Sequence, residues 1–225
     1  MALSILLTVF TLALGLVSPV QATVYRRQNS SCGWWMSRIE HRGSAPFAED
    51  AEYRVFRNVL DFNATGDGKT DDTEAINKAI SFGGRCSAGC PSSTTTPALV
   101  YFPPGVYRVS DSIIQDYYTQ FVGDAQAPPT IKADKGFRGT FVIDANPYQP
   151  GGVLAWNPTD NFYRHIRNLI VDLTEVEGKT IHGIHWPVAQ ATSIQNVVFN
   201  MAPYKDDNTI QQVRHGRRKS AVHFA

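Results

Sequence analysis

The stretch that decides the fold is Ile166-Arg167-Asn168-Leu169-Ile170-Val171-Asp172-Leu173, because it returns as Ile194-Gln195-Asn196-Val197-Val198-Phe199-Asn200-Met201. Every equivalent pair is 28 residues apart, and the shared pattern is apolar, polar, Asn, three apolar, Asp or Asn, apolar. A repeat of 20 to 50 residues marks a solenoid of stacked coils. Thr180 to Trp186, another strand-like piece, lies between the copies. Several short strands per coil, stacked in parallel, make an all-β right-handed parallel β-helix. On this reading the apolar triplets around Ile170 and Val198 lie in register and line one dry interior. Asn168 and Asn196 are inward turn residues that hydrogen-bond from coil to coil, which satisfies polar groups otherwise buried unpaired.

Working outward, strand-like pieces precede the repeat at Val55 to Phe62, Ala98 to Phe102, Val106 to Val109, Gln120 to Val122, Thr130 to Lys132 and Thr140 to Ile143. From Ala98 on they are short and turn-punctuated, with no helices between them, which excludes a doubly wound fold. One helix is expected, at Thr70 to Ile80. Thr70 or Asp71 caps it, and Ala75, Ile76, Ala79 and Ile80 form an apolar stripe at helical spacing. Gly83-Gly84 ends it. Such a helix caps the open end of a solenoid, whose free strand edges otherwise invite aggregation.

Residues 1–22 hold no charged side chain, and their apolar run, Leu3 to Val17, stops before Pro19. That is shorter than a bilayer span and reads as a secretory signal cleaved after Ala22. The expected organisation is a signal at 1–22, an irregular segment at 23–53, the β-helix at 54–203 and a polar, basic tail at 204–225. Net charge is +1, but unevenly so: the segment after Pro203 carries +3 and the rest −2. No nucleic-acid footprint results outside the tail, and no membrane span is expected.

Export agrees with two glycosylation sequons, at Asn29 and Asn63, and with a short disulfide between Cys86 and Cys90 in a glycine-rich loop. A metal site at those cysteines is the alternative, but no His or second Cys pair lies nearby in sequence. Cys32 is left over, a free thiol or one with a partner elsewhere. His182 and His185, three apart on a strand, are expected on opposite faces and so not to share a metal. Asp71 and Asp72 read as helix caps, Asp172 and Asn200 as turn residues, and Glu175 and Glu177 as solvated. No metal and no cofactor are expected.

Asp61-Phe62-Asn63-Ala64-Thr65-Gly66-Asp67-Gly68-Lys69-Thr70-Asp71-Asp72-Thr73-Glu74-Ala75-Ile76 resembles the opening motif of the pectate-lyase-like β-helix superfamily. Val55 to Val59, Gly83 to Cys86, Ser92 to Ala98, Tyr101 to Gly105, Gly183 to Trp186 and Val188 to Ser193 are similar to fungal glycoside hydrolase family 55, over about Cys32 to Met201. The resemblance implies an exo-acting, inverting, metal-free glucan 1,3-β-glucosidase built from two tandem β-helices with the active site between them. The substrate is then β-1,3-glucan or another cell-wall polysaccharide, and the protein a secreted, extracellular monomer. By the same resemblance Gln190 holds the attacking water, with Trp186, Thr192 and Ser193 as substrate-binding neighbours. A structural amide at Gln190 and a core Trp at 186 are the competing readings.

Two departures qualify the resemblance. The family's general acid lies in a second β-helix absent from this chain, and the likeness stops after Met201. The expectation is a truncated chain, inactive alone, or else a naturally short protein with a polar cap. The rival functions are a pectin-directed lyase or hydrolase, which needs calcium or paired carboxylates, and a non-catalytic polysaccharide-binding β-helix.

Overall fold

A computed structural model describes residues 34–202, 209–212 and 222–224. The expected signal sequence, Asn29 and Cys32 lie outside the described residues.

Among the described residues the strands wind into four coils, each contributing to three faces, on an amino-terminal partial one that contributes to two. The first face is a parallel ladder of β1 (Phe56–Asn58), β3 (Ala98–Phe102), β6 (Thr119–Gly123), the first half of β9 (His165–Asp172) and the first half of β11 (Ser193–Asn200). The second face stacks β2 (Asp67–Asp71), β4 (Val106–Val109), β7 (Thr130–Ala133) and the second halves of β9 and β11, again in parallel. The third stacks β5 (Ile113–Ile114), β8 (Phe141–Asp144), β10 (Thr180–His185) and β12 (Ile210–Gln212). One antiparallel strand, β13 (Val222–Phe224), lies on β11 and covers its outer edge.

The two copies of the repeat pair in register. Ile194 sits on Ile166, Val197 on Leu169, Val198 on Ile170 and Phe199 on Val171. The expected dry interior needs one correction. Leu169, Val171, Val197 and Phe199 are fully buried, whereas the middle residues, Ile170 and Val198, are only half-buried. Strand side chains alternate in direction, so three consecutive apolar residues cannot all face inward.

The two asparagines also stack, but at an exposed corner. Asn168 and Asn196 adopt left-handed backbone, φ 57° and 50°, where Asn is the best tolerated residue after Gly. That conformation bends β9 and β11 from the first face to the second. Asn196 Nδ2 donates to Asn168 Oδ1 at 2.9 Å, and Asn168 Nδ2 to the Gly123 carbonyl at 3.3 Å. The ladder thus runs on the outside of the corner, where the bend frees backbone groups.

Helix α1 (Thr73–Ser81) closes the amino-terminal end by burying Ile76, Ala79 and Ile80 against the main core. The capping differs from expectation. Asp72 is the N-cap residue, yet its carboxylate accepts from the Thr65 and Gly66 amides, 2.7 and 3.0 Å away. Asp71 meets the helix start through the Thr73 amide and hydroxyl, at 3.1 and 2.6 Å. The single strand expected at Val55 to Phe62 is cut short. Asn58 accepts from the Leu60 amide, and residues Val59–Phe62 turn into a 3-10 helix ended by Asn63 at φ 73°. Strand β2 follows at Asp67–Asp71.

The coil continues past Met201 into the stretch expected to be a divergent tail. Strand β12 adds to β10, and Gln211 Nε2 donates to the Leu173 and Val176 carbonyls at 2.8 and 3.0 Å. Among the described residues no helix is long and apolar enough to cross a membrane.

Candidate saccharide-binding corner

The sequence-selected residues fall at one place, the corner where the third face turns back to the first. Strand β10 ends at His185, residues 186–192 make the bend, and β11 begins at Ser193. Trp186 is 9% exposed and packs in the main core. Its indole is enclosed by protein, so it offers no stacking face to a sugar, and the core reading describes it. Gln190 is exposed. Ala191 follows in left-handed backbone at φ 56°, and Thr192 Oγ1 donates to the Ala189 carbonyl at 3.0 Å, closing the bend. Ser193 Oγ lies 2.9 Å from His165 Nδ1 on the preceding coil.

An insertion, residues 145–164, supports the bend. Asn161 Nδ2 donates to the Pro187 carbonyl at 3.0 Å, and the Ala189 amide to the Asn161 carbonyl at 3.0 Å. Asn161 is itself oriented by Arg164, whose Nε donates to its Oδ1 at 2.6 Å. Arg164 is fully buried and donates to the Gln115 carbonyl. Its guanidinium lies 4.5 Å from the Trp156 ring and 5.6 Å from that of Tyr117. Burial pushes its pKa down to about 9, so it stays cationic at neutral pH, held by the aromatic faces. The bend is therefore placed by a rigid, buried scaffold.

Asp144 Oδ1 and His185 Nδ1 pair at 2.8 Å on the third face. The expectation that His182 and His185 face opposite ways fails, since the Phe141 ring lies 5.2 Å from one and 4.3 Å from the other. Gly183 and Ile184 both turn into the core between them, which breaks the strict alternation. Among the described residues no group of three His, Cys, Asp or Glu is placed to hold a metal. Asp172 has a turn role, accepting from the Thr174 amide at 2.8 Å. Glu175, expected to be merely solvated, pairs with Lys132 at 2.6 Å. Asn63 is exposed. Cys86 and Cys90 form a disulfide, Cα atoms 5.2 Å apart.

Sequence reasoning missed His165, Asn161 and Tyr163. His165 was within reach: extending the repeat alignment back by one residue sets it opposite Ser193, its partner in the ladder. Asn161 and Tyr163 belong to the insertion, which no periodicity announces.

The His165 pKa is lowered from the ordinary 6.5, first by burial and then by Arg167. Its unfolded form therefore takes a proton before its folded form does. The stability held by neutral His165 is complete above pH 6.5 and falls away as the pH drops toward the lower folded value. In urea titrations from pH 8 to 5, the wild type should lose stability relative to His165→Gln, with a constant gap between them above pH 7.

Stacked coils of three parallel faces under a helical cap define a right-handed β-helix of the pectate lyase type. The family described as "Rhamnogalacturonase A/epimerase, pectate lyase-like" matches residues 56–222, and the chain belongs to it. A "Probable glucan endo-1,3-beta-glucosidase" of Arthroderma benhamiae is 54% identical over 192 residues, covering 83% of this chain and 22% of that protein. A "Glucan 1,3-beta-glucosidase" of Cochliobolus carbonum is 44% identical over 172 residues, covering 75% and 22%. A "Non-secreted LysM effector LysM15" of Penicillium expansum is 48% identical over 187 residues, covering 82% and 13%. The chain thus spans about a fifth or less of the length of these relatives.

Proposed function

We propose that this β-helix binds β-1,3-glucan at the corner of Gln190, Ser193 and His165, as one wall of the cleft of a glucan 1,3-β-glucosidase. The observation that carries the reading is that corner: an exposed amide beside a hydroxyl–imidazole pair, held by a buried Asn161–Arg164 support. Amides, hydroxyls and a neutral imidazole suit the hydroxyls of an uncharged sugar better than the carboxylates of pectate. The names of the Arthroderma and Cochliobolus relatives support the same substrate.

Hydrolysis with inversion requires a carboxylic acid and a carboxylate roughly 6.5–9.5 Å apart. Gln190 can orient a water but is too weak a base to activate one alone. The reading is therefore that this chain binds glucan without cleaving it, and that its acid and base belong to a longer protein. Secretion is part of the proposal. The uncharged apolar run before Pro19 and the Cys86–Cys90 disulfide support it, while the name of the Penicillium relative points the other way.

Laminarin titrated into the purified chain should give saturable binding by calorimetry, with no glucose or oligosaccharide released overnight. Absence of binding, sugar release by this chain alone, or unsaturated products from pectate would each overturn the reading. In a longer version that cleaves laminarin, glucose as the sole early product marks exo action, and a ladder of oligosaccharides endo action.

A further inference from the structure

Three successive coils enter the first face through a residue in left-handed backbone. They are Tyr118 at φ 53°, Tyr163 at φ 59° and Ala191 at φ 56°. Each stands two residues before a member of one outward ladder column, Gln120, His165 and Ser193. Left-handed backbone is rare for a bulky residue and marks a position that the surrounding structure holds deliberately. The first two positions form an aromatic stack, with ring centroids 4.7 Å apart and planes 38° from parallel. That spacing matches the distance between neighbouring strands. On the third rung the side chain is a methyl group, and Ala191 is exposed. The stack therefore stops at Tyr163, which is 36% exposed, beneath a notch one coil high.

Around that notch stand Gln190, exposed, and the His165–Ser193 pair. An aromatic face fringed by neutral donors and acceptors is the chemistry that recognises a pyranose: its C–H face lies on the ring and its hydroxyls reach the fringe. β-Glucosyl units fit best, because all their ring substituents are equatorial and both faces are flat. We infer that Tyr163 is the stacking platform for one glucosyl unit, seated in the gap that Ala191 leaves in the tyrosine column. This inference rests on the proposed glucan binding and adds the residue that fixes where the sugar lies. Burial and the nearby Arg167 favour the uncharged form of His165, which keeps the fringe neutral at neutral pH.

Two substitutions test it against laminarin by calorimetry, each checked by circular dichroism and thermal melting. Tyr163→Asn removes the ring and keeps a residue suited to left-handed backbone, and should weaken binding about tenfold or more. Ala191→Tyr places a third tyrosine where two neighbours already adopt the same backbone. It should fill the notch, preserve or raise the melting temperature, and abolish binding. Wild-type affinity in either folded variant overturns the inference. If Tyr163→Asn fails to fold, Ala191→Tyr decides alone. If the wild type itself ignores laminarin, the fault lies in the proposed function and not in the platform.

Discussion

Arg85→Met should lower stability by at least about 3 kcal/mol in chemical denaturation. Arg85 is 8% exposed and spends its guanidinium on three separate elements. Nη1 donates to the Ile80 carbonyl at 2.9 Å and to Thr119 Oγ1 at 2.8 Å. Nη2 donates to the Tyr117 and Tyr118 carbonyls at 2.6 and 3.2 Å, and Nε reaches Tyr53 Oη at 3.1 Å. Arg57 joins it, donating to the Ala79 and Ile80 carbonyls at 3.0 and 2.8 Å.

The last carbonyls of a helix lack partners within it and carry partial negative charge. Two buried cations thus close the end of α1, with the buried Asp116 carboxylate near enough to attract both. The methionine takes one of two donors from the Ile80 carbonyl and strips the Tyr117 carbonyl and Thr119 hydroxyl of their short bonds from Arg85, and unmet buried acceptors are costly. Arg85→Lys should recover little, because one ammonium cannot span the helix end, the first face and Tyr53 together. Burial pushes the Arg85 pKa down from its ordinary value, but Arg remains protonated at any working pH.

Gly123→Ala is the second large effect, about 3 kcal/mol or more. A Cβ there would lie 2.0 Å from the Asn168 carbonyl oxygen and 2.7 Å from Pro129 Cδ. Both belong to backbone or ring that cannot swing aside, and the Asn168 side chain already donates to the Gly123 carbonyl. The methyl group would push successive coils apart at the corner where the asparagine ladder begins. Gly136→Ala is the control. Its added Cβ would meet only Asp134 Oδ1, at 3.6 Å, and the melting temperature should stay close to that of the wild type.

The register of β9 on β11 was legible because the two strands are equally long, eight residues each, and bend at the same residue type, Asn168 and Asn196. The earlier coils hid the pattern. Thr119 stacks on Ala98 after a short coil, whereas His165 stacks on Gln120 only after the insertion at 145–164, so no constant period survives. At the corner between the first and second faces the earlier coils carry Phe102 and Gly123 where the later ones use Asn168 and Asn196, and no common letter links them. Strand β5 has two residues, too few to show alternation. Strand β12 lies in a segment whose charge hides the apolar-polar alternation of its neighbours.

At the candidate corner, Gln190 and Ser193 were visible through resemblance, whereas His165 was missed although the repeat, extended by one residue, sets it opposite Ser193. Tyr163 was not, because its role depends on what stands one coil above it, and Ala191 is informative only for what it lacks. Trp186 shows the opposite failure. An aromatic residue looks the same in sequence whether its ring faces sugar or core, and here the core encloses it.

Every rung of the parallel ladders joins segments a full circuit of the chain apart, and none can be closed by a hairpin. The chain must spend the entropy of a long loop before the first bond of each new circuit repays it. Assembly is then expected to be slow and directional: the α1 end, where Arg57 closes on the Ala79 and Ile80 carbonyls, forms the template, and each later circuit is laid on the last. Refolding from denaturant should reflect this ordered growth, with the region around Arg85 protected from hydrogen exchange before the turns that carry Tyr163 and Ser193.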